Sequence, residues 1–157
     1  MKYALTLLLC FFGLLGKGQH LKLSQLKSFV GQPVASVSDS LKSTRWVVRP
    51  ELSAVKGDQL YRTFSYGNHG SERTKALSWL RIQADYGVVN QLYYQLNSQA
   101  SYELILKDIK ASGTEKKDIQ SIENKQISTY YLSTDYIFQT IVGADSYTIM
   151  VMSSREH

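Results

Sequence analysis

The chain has 157 residues, 43% of them hydrophobic and 11% aromatic, with 18 Lys and Arg against 13 Asp and Glu for a formal net charge of +5. Its basic residues are dispersed, Lys116-Lys117 being the only doublet, so the clustered footprint of a nucleic-acid binder is missing and no nucleic-acid partner is expected. The single cysteine, Cys10, lies in the first apolar run, which leaves the rest of the chain without a disulfide, a thiolate metal site or a cysteine nucleophile.

In chain order, Lys2 followed by the apolar run Ala4 to Leu15 reads as a secretory signal peptide over residues 1–18, too short for a stable membrane anchor. The small residues Gly16 and Gly18 place its cleavage before Gln19. Loss of Lys2 and Lys17 brings the net charge to about +3. A periplasmic or secreted protein is expected. No later run reaches the roughly 20 apolar residues of a membrane helix, so no transmembrane anchor is expected after cleavage.

Residues 19–35 hold Leu21, Leu23, Leu26, Phe29 and Val30 before Gly31 and Pro33, and are read as an N-terminal arm. Ser36 is placed as the cap of a short helix carrying Val37 and Leu41, with Asp39 in its first turn. Trp46-Val47-Val48 follows, Pro50 stops the helix, and Glu51 to Asp58 is read as polar and irregular.

Leu60 to Tyr66 is rich in aromatic and β-branched residues and reads as a strand, closed by the loop Gly67 to Ser71. Ala76 to Ala84 and Val88 to Leu96 form a hairpin about Asp85-Tyr86-Gly87. Tyr102, Ile105, Leu106 and Ile109 then recur at i, i+3, i+4 and i+7, the mark of an amphipathic helix capped by Ser98 and ended by Gly113. Thr114 to Lys125 is read as a solvated connector with room for one helical turn. Strands follow at Gln126 to Leu132, Tyr136 to Val142 and Ser146 to Met152.

The expected fold is a single α+β domain over 36–157, an antiparallel sheet with helices on one face. The order helix, three strands, helix, three strands also reads as two αβββ repeats, 36–97 and 98–153. In Tyr136 to Val142 one face carries Tyr136, Phe138, Thr140 and Val142 and the other Ile137, Gln139 and Ile141. Both faces are partly apolar. Two helices do not cover both, so the second face is either covered by connectors and the arm or left open for binding.

Catalytic chemistry finds little support. His20, His69 and His157 are the only histidines, and His69 alone lies away from the termini, in a loop with Ser65, Ser71 and Glu72. These are parts of a base-activated nucleophile without its elbow motif, so a hydrolase centred on His69 is the weakest of the functional readings. No ligand cluster, calcium loop or phosphate loop is present, and neither metal nor cofactor is expected.

Tyrosine is the distinctive resource. Ten tyrosines follow the leader, most on predicted strands, together with Trp46 and Trp79. Tyrosine gives a large, rigid, amphipathic contact at small entropic cost. In a strand, adjacent residues point to opposite faces, so one each of Tyr93-Tyr94 and Tyr130-Tyr131 leaves the helix-covered side. Tyr93, Tyr94, Tyr130, Tyr131, Trp46 and Trp79 are the candidate binding residues. The layout from Ser36 to Met152 resembles exported proteins of the β-lactamase-inhibitory type, whose tandem helix-plus-sheet units present a concave aromatic sheet to a partner protein. That family has four strands and a disulfide per unit, against three strands and no cysteine here. The resemblance implies a non-catalytic inhibitor or immunity-like protein whose partner is another protein. The competing expectations are a subunit or accessory factor of an envelope complex, and a small-ligand carrier with a pocket lined by Trp46, Trp79 and Tyr102.

Overall fold

The computed structural model describes residues 20–67, 76–119 and 127–154. The expected leader, residues 68–71 of the loop carrying His69, residues 120–125 of the expected connector and Gln126 at the start of the strand expected after it lie outside them.

The fold is α+β, the described residues forming three helices on one face of an open antiparallel sheet of nine strands. The helices are α1 (Leu23–Phe29), α2 (Val34–Ser43) and α3 (Gln99–Ala111). The first run of strands is β1 (Val47–Val48), β2 (Ala54–Lys56), β3 (Gln59–Tyr66), β4 (Ser78–Asp85) and β5 (Val88–Leu96). The second is β6 (Glu115–Ile119), β7 (Ile127–Leu132), β8 (Tyr136–Val142) and β9 (Tyr147–Ser153). Their order in the sheet is β1-β3-β4-β5-β9-β8-β7-β6, with β2 also paired to the outer edge of β3. The last strands of the two runs, β5 and β9, therefore meet at the centre.

Alternation along the strands sets the core. Leu80, Ile82 and Ala84 on β4, Leu92, Tyr94 and Leu96 on β5, and Ile149 and Val151 on β9 all face the helices and are buried. Against them pack Leu23, Leu26 and Phe29 of α1, Val34, Val37 and Leu41 of α2, and Tyr102, Ile105 and Ile109 of α3. The stretch expected as an arm is thus a helix of the core layer. Its apolar residues recur at helical spacing, and Leu26 is fully buried.

Helix α2 begins at Val34, after Pro33, rather than at a Ser36 cap. Its buried stripe Val34, Val37, Ser38 and Leu41 needs the earlier start, and Ser36 lies on the exposed side. At its other end the Trp46 N–H donates to Leu41 O and the Arg45 N–H to Lys42 O, with Arg45 at φ 68°. This is a Schellman ending that drops Trp46 into the core beside Tyr66 and Tyr94. Glu51 to Asp58 is more regular than expected, a 3-10 turn at Pro50–Leu52 followed by β2. The expected connector likewise contains a strand, β6, because Glu115 to Ile119 pairs with β7 along the sheet edge.

The β4–β5 hairpin turns through Tyr86 and Gly87, both at positive φ (49° and 79°), the signature of a type I′ turn. Next to it the segment before α2 is stitched to β5. Gly31 N–H donates to Val89 O at 2.7 Å, Val89 N–H to Gln32 O at 2.9 Å and Val34 N–H to Gly87 O at 3.0 Å. Among the described residues no helix is long and apolar enough to cross a membrane.

Tyr86 is 83% exposed and gains nothing from packing to offset its left-handed backbone. Replacing Tyr86 by Asn, which tolerates that conformation, is expected to stabilise the protein by about 1 kcal/mol in denaturant titrations.

Tyr94 is fully buried, and its hydroxyl accepts the Leu21 N–H at 3.2 Å. Burial raises its ionisation above the usual tyrosine value, opposed more weakly by the nearby Ser78 hydroxyl and by the Leu21 N–H bond. Above that usual value the unfolded chain releases this proton while the folded chain keeps it, so stability falls as pH rises there. Tyr94→Phe is expected to cost about 1 kcal/mol near neutrality, by stranding the Leu21 N–H, and to flatten the alkaline loss of melting temperature.

Candidate functional site

The opposite side chains of the same strands make the second face. Strand register aligns them in rows across the sheet. The middle row runs Thr63, Arg81, Tyr93, Met150, Gln139, Tyr130 and Lys117. One flanking row holds Tyr61, Gln83, Gln91, Met152, Ile137 and Leu132, the other Ser65, Trp79, Gln95, Thr148, Ile141 and Ser128. Most of these side chains are half-buried, and none of the described helices packs on them.

Among the described residues, the 3-10 turn at Pro50–Leu52 is the segment that rises beside this face, and it is strapped to β3. Arg49 N–H donates to Thr63 O at 2.8 Å, Thr63 N–H to the Ser53 hydroxyl at 3.1 Å, and the Thr63 hydroxyl to Leu52 O at 2.8 Å. Arg49 Nε also reaches Ser65 Oγ at 2.7 Å. The turn and the strands enclose a concavity of about 460 Å³, lined by residues that include Leu52, Tyr61, Trp79, Arg81 and Tyr93.

Arg81, an exposed side chain, lines that concavity. Its Nε donates to Thr63 Oγ1 at 3.2 Å, the same hydroxyl that is anchored to the 3-10 turn. Its two terminal nitrogens have no partner among the described residues, and no carboxylate pairs with it. The Tyr93 hydroxyl accepts from Gln91 Nε2 at 2.8 Å, leaving its own proton free to donate. Partial burial raises the ionisation of Tyr93. The nearby phenol of Tyr61 raises it further, Arg81 opposes, and Tyr130 adds a smaller upward push. Acidic residues on this face sit at its margins, Asp85 at the hairpin end with its carboxylate held by the Asn90 amide, and Glu115 on edge strand β6.

The structure divides the six candidate residues in half. Tyr93, Tyr130 and Trp79 lie on the open face. Tyr94, Tyr131 and Trp46 lie in the core, since strand alternation turns the first two under the helices and the Schellman ending buries the third. They offer no surface to a partner. Trp79 is on the other side of the sheet from Trp46 and Tyr102, the latter stacked on Tyr147 at 4.8 Å, so these three line no common pocket. A second groove, of about 730 Å³, runs by Lys42, Arg45, Trp46, Val48 and Tyr66 at the end of α2. Arg81, Thr63, Tyr61 and the glutamines at 83, 91 and 95 were not singled out from sequence. Their signal was alternation with the apolar Leu80, Ile82, Leu92 and Leu96.

Chemically the face provides two oriented guanidiniums, Arg81 on Thr63 Oγ1 and Arg49 on Ser65 Oγ, together with phenols, an indole and amides. Among the described residues no group of three or more His, Asp or Glu side chains is placed to hold a metal ion. Fold and face together define an α+β protein with helices on one side of its sheet and an aromatic, arginine-centred surface on the other. No protein family, characterised protein or solved structure matches the chain.

Replacing Arg81 by Gln removes the cation that opposes the upward shift of Tyr93, so the Tyr93 titration midpoint is expected to move higher still. The ring-carbon resonance of labelled tyrosine reads this directly, and an unchanged midpoint would separate the two side chains in solution.

Proposed function

We propose that this chain is a non-catalytic, exported protein-binding domain, of the inhibitor or immunity-protein kind, that seats a partner protein on the open face of its sheet. One observation carries the reading. Trp79, Arg81, Tyr93 and Tyr130 are held outward across the centre of a rigid sheet, on the face that the helices leave uncovered. Trp, Tyr and Arg are the residue types on which interface energy concentrates.

The edges of the sheet argue for face binding over strand addition. β1 and β2 are two and three residues long and are separated by the 3-10 turn, and β6 reads Glu-Lys-Lys-Asp-Ile. Short, interrupted and charged edges discourage pairing with another chain's strand. The face, by contrast, is broad. From Arg81 on β4 to Tyr130 on β7 is four strand spacings, about 19 Å, which suits a protein surface better than a small molecule.

The test is site-directed photocrosslinking in the exporting cell and in cells it meets, with the reactive side chain at position 93, 130 or 104. Leu104 is 67% exposed on the outer side of α3 and serves as the control. The same protein captured through 93 and 130 but not 104 is expected. With that partner in hand, alanine at Trp79, Tyr93 or Tyr130 should weaken binding by about 2 kcal/mol at the central anchor. Capture through 104 alone would move the interface to the helices and defeat the reading.

A further inference from the structure

Granting the open face as the binding surface, we infer that it recognises an acidic side chain, Asp or Glu, on the partner protein, with Arg81 receiving the carboxylate between Tyr61, Tyr93 and Trp79. The arginine is pre-oriented for this. Its Nε is fixed on Thr63 Oγ1, which is itself tied to Leu52 O, so the plane of the guanidinium is set while its terminal nitrogens point away unpartnered. A planar fork held in this way matches a carboxylate with two parallel hydrogen bonds.

The surroundings strengthen the match. Arg81 lies in a concavity walled by aromatic side chains, where an arriving partner displaces water and the attraction between opposite charges grows. Among the described residues of these strands, Arg81 lies within the face while the carboxylates of Asp85 and Glu115 sit at its margins, which makes the middle of the face complementary to an acid. Tyr93 can donate its hydroxyl proton to the same group, because its oxygen already accepts from Gln91.

A more highly charged ligand fits less well. The backbone N–H groups of these central strands are spent in the sheet ladder, and among the described residues that line the concavity Arg81 is the single charged side chain, so the site offers one positive charge to one negative charge. The row from Arg81 to Tyr130 then makes the acid one anchor within a wider protein footprint.

The probe is a displayed random-peptide library selected against the purified protein, with Arg81→Gln and the pair Tyr93→Ala/Tyr130→Ala as comparison targets. The expected peptides carry Asp or Glu at a fixed position. They lose about tenfold or more in affinity against Arg81→Gln, or when their own acid is changed to its amide, and Arg81→Lys recovers part of the loss. The peptide-side change reads the contact without touching the protein, so a folding defect in the variant cannot imitate it. Peptides that depend on Tyr93 and Tyr130 but show no acidic position, and are indifferent to Arg81→Gln, would overturn the acidic recognition and leave the open-face reading standing. Peptides indifferent to both comparison targets would overturn the two together.

Discussion

The two-residue period of the central strands is the constraint on which everything else rests. β4 and β5 carry mainly apolar side chains on one parity and polar or aromatic ones on the other, β9 sets Ile149 and Val151 against Thr148, Met150 and Met152, and register locks equal parities side by side across the sheet. A slip of one residue in any of these ladders would turn Leu92 and Tyr94 to water and Gln91 and Tyr93 into the core. The same pairing that excludes water from beneath the helices therefore assembles the row from Thr63 to Lys117. Core and face are two readings of one register.

The helical layer is arranged to leave that second face alone. Three helices, including the short α1, all serve the parity that holds Phe64, Leu80, Tyr94 and Ile149. Polar contacts on this side are local and satisfy individual groups, as where Arg62 reaches Ser38 Oγ at 3.1 Å and the Lys27 ammonium sits 4.8 Å over the Tyr136 ring. Tyr136 and Tyr147 close the rim of the core against α1 and α3. Among the described residues the opposite face receives the 3-10 turn, which braces Thr63 and through it Arg81.

Strong periodicity made much of this legible in the sequence. The strands at 60–66, 88–96 and 136–142 and helix α3 each carry a clear period of two or 3.6, with Ser98 and Gly113 marking the helix ends, and they stand within a few residues of their expected bounds. Edge strand β6 was not legible, since a run of Glu, Lys, Lys and Asp gains its strand character from β7 alone. The N-terminal helix was hidden by its brevity and by Gly31 and Pro33. At the site, alternation told that Tyr93 and Tyr94 must part company, but not which of them the helices would cover. Arg81 was invisible for a related reason, because an arginine in a strand acquires meaning only once Leu80 and Ile82 are known to be underneath.

The meeting of β5 and β9 at the middle of the sheet has a consequence for the order of events in folding. The two meanders can each form from neighbouring segments, but the central seam joins strands separated in the chain by α3 and three intervening strands. Closing so long a loop is entropically slow, and the core is incomplete until it happens. A chain that has not yet delivered β9 has no centre to condense upon. It remains loose and threadable until that strand arrives.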